Sequence, residues 1–319
     1  MMAIEAAVFK RHFKEYLEGT SQTLFFKNAY FGLSFLAIAL YFSGDVFLYG
    51  FLASLIGYLY SILHRTPKVL KQTGLMTING FFFGIAFASF FQPSSSFYFC
   101  FLMGALAIPL MTKMSLEILQ HWKLSPLIAP YILIIWTLWL GAYGIGLQPA
   151  IKSWQQPPSM IFDFLPQTEP LVQLLASMFF SISQIFFLQN SEFGMALLAL
   201  VLLFSPRRGL FFFIGAALST LVFYGISNEG EFAWQQGFFS CSAGLVGLGL
   251  ASLPEKFAWQ NILLFCVLSL FLTLAAEHFF SGFRLPIMSL PFVLTFWFAM
   301  LSRTPRLNVS WAVNESSSL

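Results

Sequence analysis

Apolar stretches recur from one end of this chain to the other, and few of them are broken by a charge. Runs such as Phe211-Phe212-Phe213, flanked by more apolar residues, leave little surface that water could solvate. Charged residues make up 9% of the 319 residues, against about 25% in an ordinary soluble domain. With a mean hydropathy of +0.78, most of the chain is suited to hydrocarbon. Because the apolar runs span its whole length, the sequence reads as one integral membrane domain and not as a soluble domain with an anchor.

What charge there is sits at the ends of the apolar runs, singly or in pairs. It forms no basic cluster of the kind that binds nucleic acid. Cys100, Cys241 and Cys266 lie inside apolar runs without metal or redox spacing and read as small core residues. The four histidines are far apart in sequence, and no residue pattern calls for a cofactor. Glu5, Lys10, Arg11, Lys14, Glu15 and Glu18 interrupt residues 1–20, which excludes a secretory signal there. Ala6, Phe9, Phe13, Tyr16 and Leu17 share roughly one helical face. That suits an amphipathic helix on the cytoplasmic membrane surface, the alternative being a frayed polar tail.

A shift of 162 residues lays Ser21-Gln22 on Ser183-Gln184, Phe25 on Phe187, Asn28 on Asn190 and Ser43 on Ser205. A shift of 163 lays Gly74 on Gly237 and Gly84 on Gly247; one of 161 lays Pro130 on Pro291 and Trp136 on Trp297. Chance matches of Leu or Phe are cheap in such a composition, but matches of Gln, Asn, Pro and Trp at a steady offset are not. The expected fold class is therefore an all-α polytopic membrane protein of two repeats, 21–147 and 183–302. Residues 148–182 are an extracytoplasmic linker with an extra apolar helix, and residues 303–319 form a cytoplasmic tail.

Each repeat offers five apolar stretches near the roughly 20 residues a spanning helix needs: 23–42, 46–64, 74–91, 97–112 and 126–147, then 185–204, 208–226, 234–252, 258–276 and 286–302. An odd number of spans inverts the second repeat. The matched loops agree. Ser43-Gly44-Asp45 pairs with Ser205-Pro206-Arg207-Arg208, whereas the basic segment 64–68 pairs with the acidic 227–231, so the positive side alternates. With both termini cytoplasmic, almost all Lys and Arg fall inside, as orientation requires.

In inverted repeats the site is expected at the repeat interface, on broken or half-length helices. Three matched segments carry polar residues or helix breakers inside apolar runs. Gln22 and Gln184 offer an amide donor and acceptor without charge, each with a phenylalanine (Phe25, Phe187) three residues on. In the second segment Asn79, matched by Cys241-Ser242, either lines a path or pins the backbone. In the third, Pro126 and Pro130 match Pro286 and Pro291; the freed carbonyls either line a cavity or mark ordinary kinks.

These segments resemble those of urea transporters. Gln22–Asn28 and Gln184–Asn190 are similar to that family's paired Gln/Glu-x-x-Phe…Asn segments, and Gly74–Gly84 (GLMTINGFFFG) to its Gly-x-x-Gly-Tyr-Asn-Gly motif. Leu127–Trp136 (LIAPYILIIW) and Ser289–Trp297 (SLPFVLTFW) resemble its Leu-Thr-x-Pro-Phe motif. The resemblance covers roughly residues 20–302. It implies a homotrimer with a pore in each protomer, in which Gln22 and Gln184 bind urea at opposite ends. Thr23 and Ile185 then line the path, Phe25 and Phe187 flank it, Phe82 and Leu245 take the family's pore-lining leucine positions, and Ile128 and Ser289 its middle threonines. The chain departs from the family's pattern at Gln184 (often Glu), Ile128 (no hydroxyl), Thr77-Ile78 and Cys241-Ser242.

Lys27 and Glu192 are the exceptional charges in the spans. They are not matched between repeats and read as interface residues. The expected activity is thus passive, channel-like diffusion of urea, with no enzymatic step, in a bacterial inner membrane. The alternatives are a channel for ammonia, water or small amides on the same fold, and an ion-coupled small-amide transporter.

Overall fold

The computed structural model describes residues 2–64, 73–142, 144–150, 170–226, 241–253, 257–283 and 285–303. The described residues fold into helices. In the first half these are α1 (Met2–Ser21), the 3-10 turn Gln22–Leu24, α2 (Ala29–Leu63), α3 (Leu75–Phe90), α4 (Ser95–Leu119), the 3-10 turn Gln120–Trp122 and α5 (Ala129–Gly141). In the second they are α6 (Pro170–Gln184), α7 (Ser191–Phe204), α8 (Pro206–Ile226), α9 (Cys241–Ser252), α10 (Trp259–Ser281) and α11 (Leu290–Leu301). Ala29–Leu63, Ser95–Trp122, Pro206–Gly225 and Trp259–Ser281 are long and apolar enough to cross a membrane. The remaining apolar helices are shorter. The basic residues Arg65, Lys68, Lys71, Lys152, Lys256, Arg284 and Arg306, used above to orient the chain, lie outside the described residues, as does Gly237.

The joint expected as a loop at Ser43-Gly44-Asp45 is a single-residue break. Ser43 has φ −158° and ψ 70° inside α2, and the helix resumes at once. The rings of Phe35 and Phe47 lie 6.4 Å apart, whereas twelve residues of straight helix would separate them by about 18 Å. The chain therefore doubles back at Ser43. Ser205, between α7 and α8, has φ −158° and ψ 97°. The helices also begin later than 23 and 185. Asn28 caps α2 by accepting from the N–H groups of Tyr30 and Phe31 at 2.8 and 3.2 Å, and Asn190 caps α7 by accepting from Phe193 at 2.8 Å. The run Leu171–Ile182, expected as a surface or half-span helix, belongs to α6, which precedes α7 as α1 precedes α2.

α1 divides its apolar residues between two surroundings. Tyr16 and Leu17 face α2, where the Tyr16 hydroxyl meets Ser54 at 2.7 Å, while Phe9 and Phe13 stay exposed and stack on each other. The core is built largely of phenylalanine. Phe35, Phe47, Phe81, Phe82, Phe186 and Phe193 are fully buried and touch one another across the two halves of the chain. The outer face of α4 presents Tyr98, Leu102, Leu106, Leu110, Met114 and Ile118. In water such a stripe would drive association; against lipid tails it is at no disadvantage.

The tightest helix contacts fall on small residues, as is usual in membranes. A side chain at Gly84 of α3 would run into the Tyr49 carbonyl of α2, and one at Gly247 of α9 into the Phe211 carbonyl of α8. Backbone has no flexible end that can yield. Gly84→Leu is therefore expected to cost more than the roughly 1–3 kcal/mol of ordinary overpacking. It should lower the melting temperature of detergent-solubilised protein sharply, whereas Gly44→Leu, where a side chain meets open space, should leave it nearly unchanged.

Candidate functional site

Two turns of unusual backbone precede α2 and α7. After α1, Phe25 adopts φ 62°; after α6, Phe187 adopts φ 57°. Bulky residues rarely occupy this left-handed region, and each costs on the order of 1–3 kcal/mol unless its surroundings hold it. Those surroundings are similar at the two places. The Ser21 hydroxyl lies 2.7 Å from the Phe26 carbonyl and accepts from the Asn28 N–H at 3.1 Å. The Ser183 hydroxyl lies 2.8 Å from the Leu188 carbonyl and accepts from the Asn190 N–H at 3.3 Å. The first turn has one extra support: Arg208, from α8, donates to the Phe25 carbonyl at 3.0 Å, and its guanidinium lies 4.8 Å from the centre of the Phe26 ring.

Two further left-handed residues, Leu127 and Met288, both at φ 50°, stand just before α5 and α11. Each is followed by a residue at the helix N-cap, Ile128 or Ser289, and by a proline in the first turn. Trp136 on α5 donates to the Pro286 carbonyl at 2.8 Å, and Trp297 on α11 donates to the Ser125 carbonyl at 2.8 Å. Each tryptophan thus binds the segment leading into the other helix, which requires α5 and α11 to lie antiparallel. Asn79 secures the first of these segments. Its amide donates to the carbonyls of Leu75 and Leu127 at 2.9 and 2.8 Å and accepts from the Tyr131 N–H at 3.3 Å. Of the two readings of Asn79, the contacts are those of a backbone pin.

Between the Phe25 turn and the Leu127 approach to α5 lies a cavity of about 240 Å³. Gln22, Thr23 and Phe25 come from the first turn; Thr73, Leu75, Ile78 and Phe82 from α3 and its approach; Ser125, Leu127 and Ile128 from the approach to α5. Leu245 and Ser252 of α9 and Phe292 of α11 complete the wall. Among the described residues the lining carries an amide, hydroxyls and aromatic rings but no ionisable side chain. Phe25 sits edge-on to Phe292 at 6.0 Å and parallel to Phe296 at 6.1 Å. The volume is below the roughly 300–1,000 Å³ typical of drug-sized ligands. It suits a small neutral solute held by hydrogen bonds and flat rings.

The structure thus brings Gln22, Thr23, Phe25, Phe82, Ile128 and Leu245 to one cavity. Gln184 and Ile185 are buried and do not line it; Phe186, two residues past Gln184, stacks on Phe82, and Phe187 packs edge-on against Phe90 at 5.2 Å. Ser289 is buried and accepts from the Tyr131 hydroxyl at 3.3 Å. Gln184 is 4% exposed, and among the described residues neither its amide nitrogen nor its oxygen has a hydrogen-bond partner. Sequence reasoning passed over Arg208, Tyr131 and Phe292. Arg208 looked like an orientation charge. Phe292 and Tyr131 each follow a matched proline, which was the signal available.

Apolar helices wrapped around a small uncharged cavity define a polytopic membrane protein of the transport class. A family model described as urea transporter matches residues 13–304. The chain belongs to the urea transporter family, a family of transport proteins and not of enzymes, which carries urea across membranes. Comparison with curated proteins finds no match.

Replacing Asn79 by Leu orphans the Leu127 carbonyl and the Tyr131 N–H at about 1–3 kcal/mol each. Asn79→Leu is expected to lose most of its thermal stability margin in detergent, and Asn79→Asp, which keeps the acceptor but sets a second one against the Leu75 and Leu127 carbonyls, should lose no less.

Proposed function

We propose that the protein conducts urea by passive, channel-like diffusion through a pore between two inverted repeats, with the cavity beside Gln22 at one end and Gln184 at the other. The observation that carries this reading is the Gln184 amide, buried and without a partner. An unpaired buried amide costs about 1–3 kcal/mol, an expense that makes sense where a solute completes the hydrogen bonds. Gln22, 162 residues earlier in the chain, borders the cavity at the matching turn. The matched left-handed turns and the antiparallel α5 and α11 support the inverted arrangement.

In this reading urea enters flat against Phe25 and Phe292, and its oxygen and NH2 groups exchange water for Gln22 and Thr23, the carbonyls around the matched prolines being already bonded to Asn79, Trp136, Trp297 and the backbone. It crosses the middle past Phe82, Ile128, Leu245 and Ser289, beside Asn79, and leaves past Gln184, Ile185 and Phe187. Coupled transporters mark an ion path with ionisable residues at membrane depth. Among the described residues the cavity lining has none, Lys27 is exposed, and Glu192 does not line the cavity, so in this reading the flux follows the gradient. The working form is a homotrimer in a bacterial inner membrane with both termini cytoplasmic and lipid as its other partner. The apolar floor of Phe82, Ile128 and Leu245 favours a second reading, in which ammonia, water or a small amide also passes.

Stopped-flow light scattering on proteoliposomes tests both. Urea entry is expected to be fast and saturable and to fall at least ~10-fold in Gln22→Ala and in Gln184→Leu, the loss of about 1.4 kcal/mol. Gln184→Leu is also expected to raise the melting temperature, because it removes an unpaired amide without leaving a hole. Urea entry no faster than in empty liposomes would contradict the urea reading.

A further inference from the structure

The middle of the path carries a change that the matched positions alone do not show. At the N-caps of α5 and α11 stand Ile128 and Ser289, so the hydroxyl is present only on the second. Three residues on stand Tyr131 and Phe292, and here the hydroxyl is present only on the first. The two surviving hydroxyls meet: Tyr131 Oη donates to Ser289 Oγ at 3.3 Å, with Tyr131 fully buried and Ser289 nearly so. Ser289 does not spend its hydroxyl on capping its own helix.

The tyrosine ring is held by stacking. It lies parallel to Phe82 at 5.4 Å, and Phe82 lies parallel to Phe186 at 5.8 Å. Phe82 borders the cavity that holds Gln22, and Phe186 is two residues past Gln184. The tyrosine thus shares one run of stacked rings with a residue that borders the Gln22 cavity and with a residue two positions past Gln184. At 3.3 Å it is well beyond the usual 2.7–2.8 Å or so of an O–H···O bond, so little is lost when it is exchanged for another partner.

We propose that Tyr131 is a specificity-determining residue of the passage, its hydroxyl taking the place of the one missing at Ile128. The proposal rests on the urea reading above. A solute that donates and accepts in one plane replaces the Tyr131–Ser289 bond with one bond to each hydroxyl. Water needs less of this help, because it passes as a smaller molecule with its own hydrogen-bonded neighbours.

The test compares wild type, Tyr131→Phe and the double variant Ile128→Thr/Tyr131→Phe in proteoliposomes, with urea and water permeabilities measured on the same vesicles. Tyr131→Phe keeps the ring and its stacking, and its melting temperature checks that it folds. The expected result is a roughly 10-fold fall in urea permeability with water permeability unchanged, and recovery of most of the urea permeability when Thr replaces Ile128. Urea permeability in Tyr131→Phe equal to or above wild type overturns the proposal, as does a fall that Ile128→Thr does not reverse. A wild type that passes no urea overturns the urea reading and the proposal with it, whereas a conducting wild type matched by Tyr131→Phe overturns the proposal alone.

Discussion

Backbone that leaves the helix inside a membrane must find its hydrogen bonds within the protein, because the hydrocarbon offers none. Among the described residues four bulky apolar side chains, Phe25, Phe187, Leu127 and Met288, sit on left-handed backbone just outside helices, and what lies around them follows from that need. Ser21 and Ser183 serve the polar groups of the first two turns, and Asn28 and Asn190 cap the helices that follow. Asn79, Trp136 and Trp297 hold the approaches to α5 and α11. The polar residues of an otherwise greasy chain are spent mainly on this task. Gln22, which borders the cavity, and Gln184, whose buried amide has no partner among the described residues, are the two matched amides that fit a solute.

The strain at the four turns and the chemistry of the cavity belong together. The left-handed Phe25 lines the same cavity as Gln22, three residues earlier, so the amide and an aromatic surface come from one turn. A neutral polar solute gives up hydrogen bonds to water on entry, and an amide returns them without the large desolvation cost that a charged side chain would bring. The same logic explains why Arg208 stays outside the cavity while holding the Phe25 carbonyl: its charge stiffens the turn without facing the solute.

Much of this was legible in the chain itself. Gln, Asn, Pro and Trp at a steady offset picked out residues that stand at the turns, the caps and the reciprocal tryptophan bonds, but not the tasks they perform there. Helix ends were not legible, because in a membrane both the lipid-facing and the core-facing sides are apolar and periodicity loses its contrast. For the same reason Ser43 looked like part of a loop, although one residue suffices to reverse the chain. Asn79 could be placed in an apolar run but not assigned a task, since its partners, Leu127 and Tyr131, lie about fifty residues away. Tyr131 was hidden inside a motif where its hydroxyl changed only one atom.

The central claim is that an uncharged path conducts urea without coupling to any other gradient. Its most direct test is the steady-state distribution of radiolabelled urea in proteoliposomes under imposed proton, sodium and electrical gradients. The account predicts that internal and external urea become equal under every gradient, with only the rate depending on the protein. Accumulation of urea above the external concentration, driven by any one of those gradients, would contradict it.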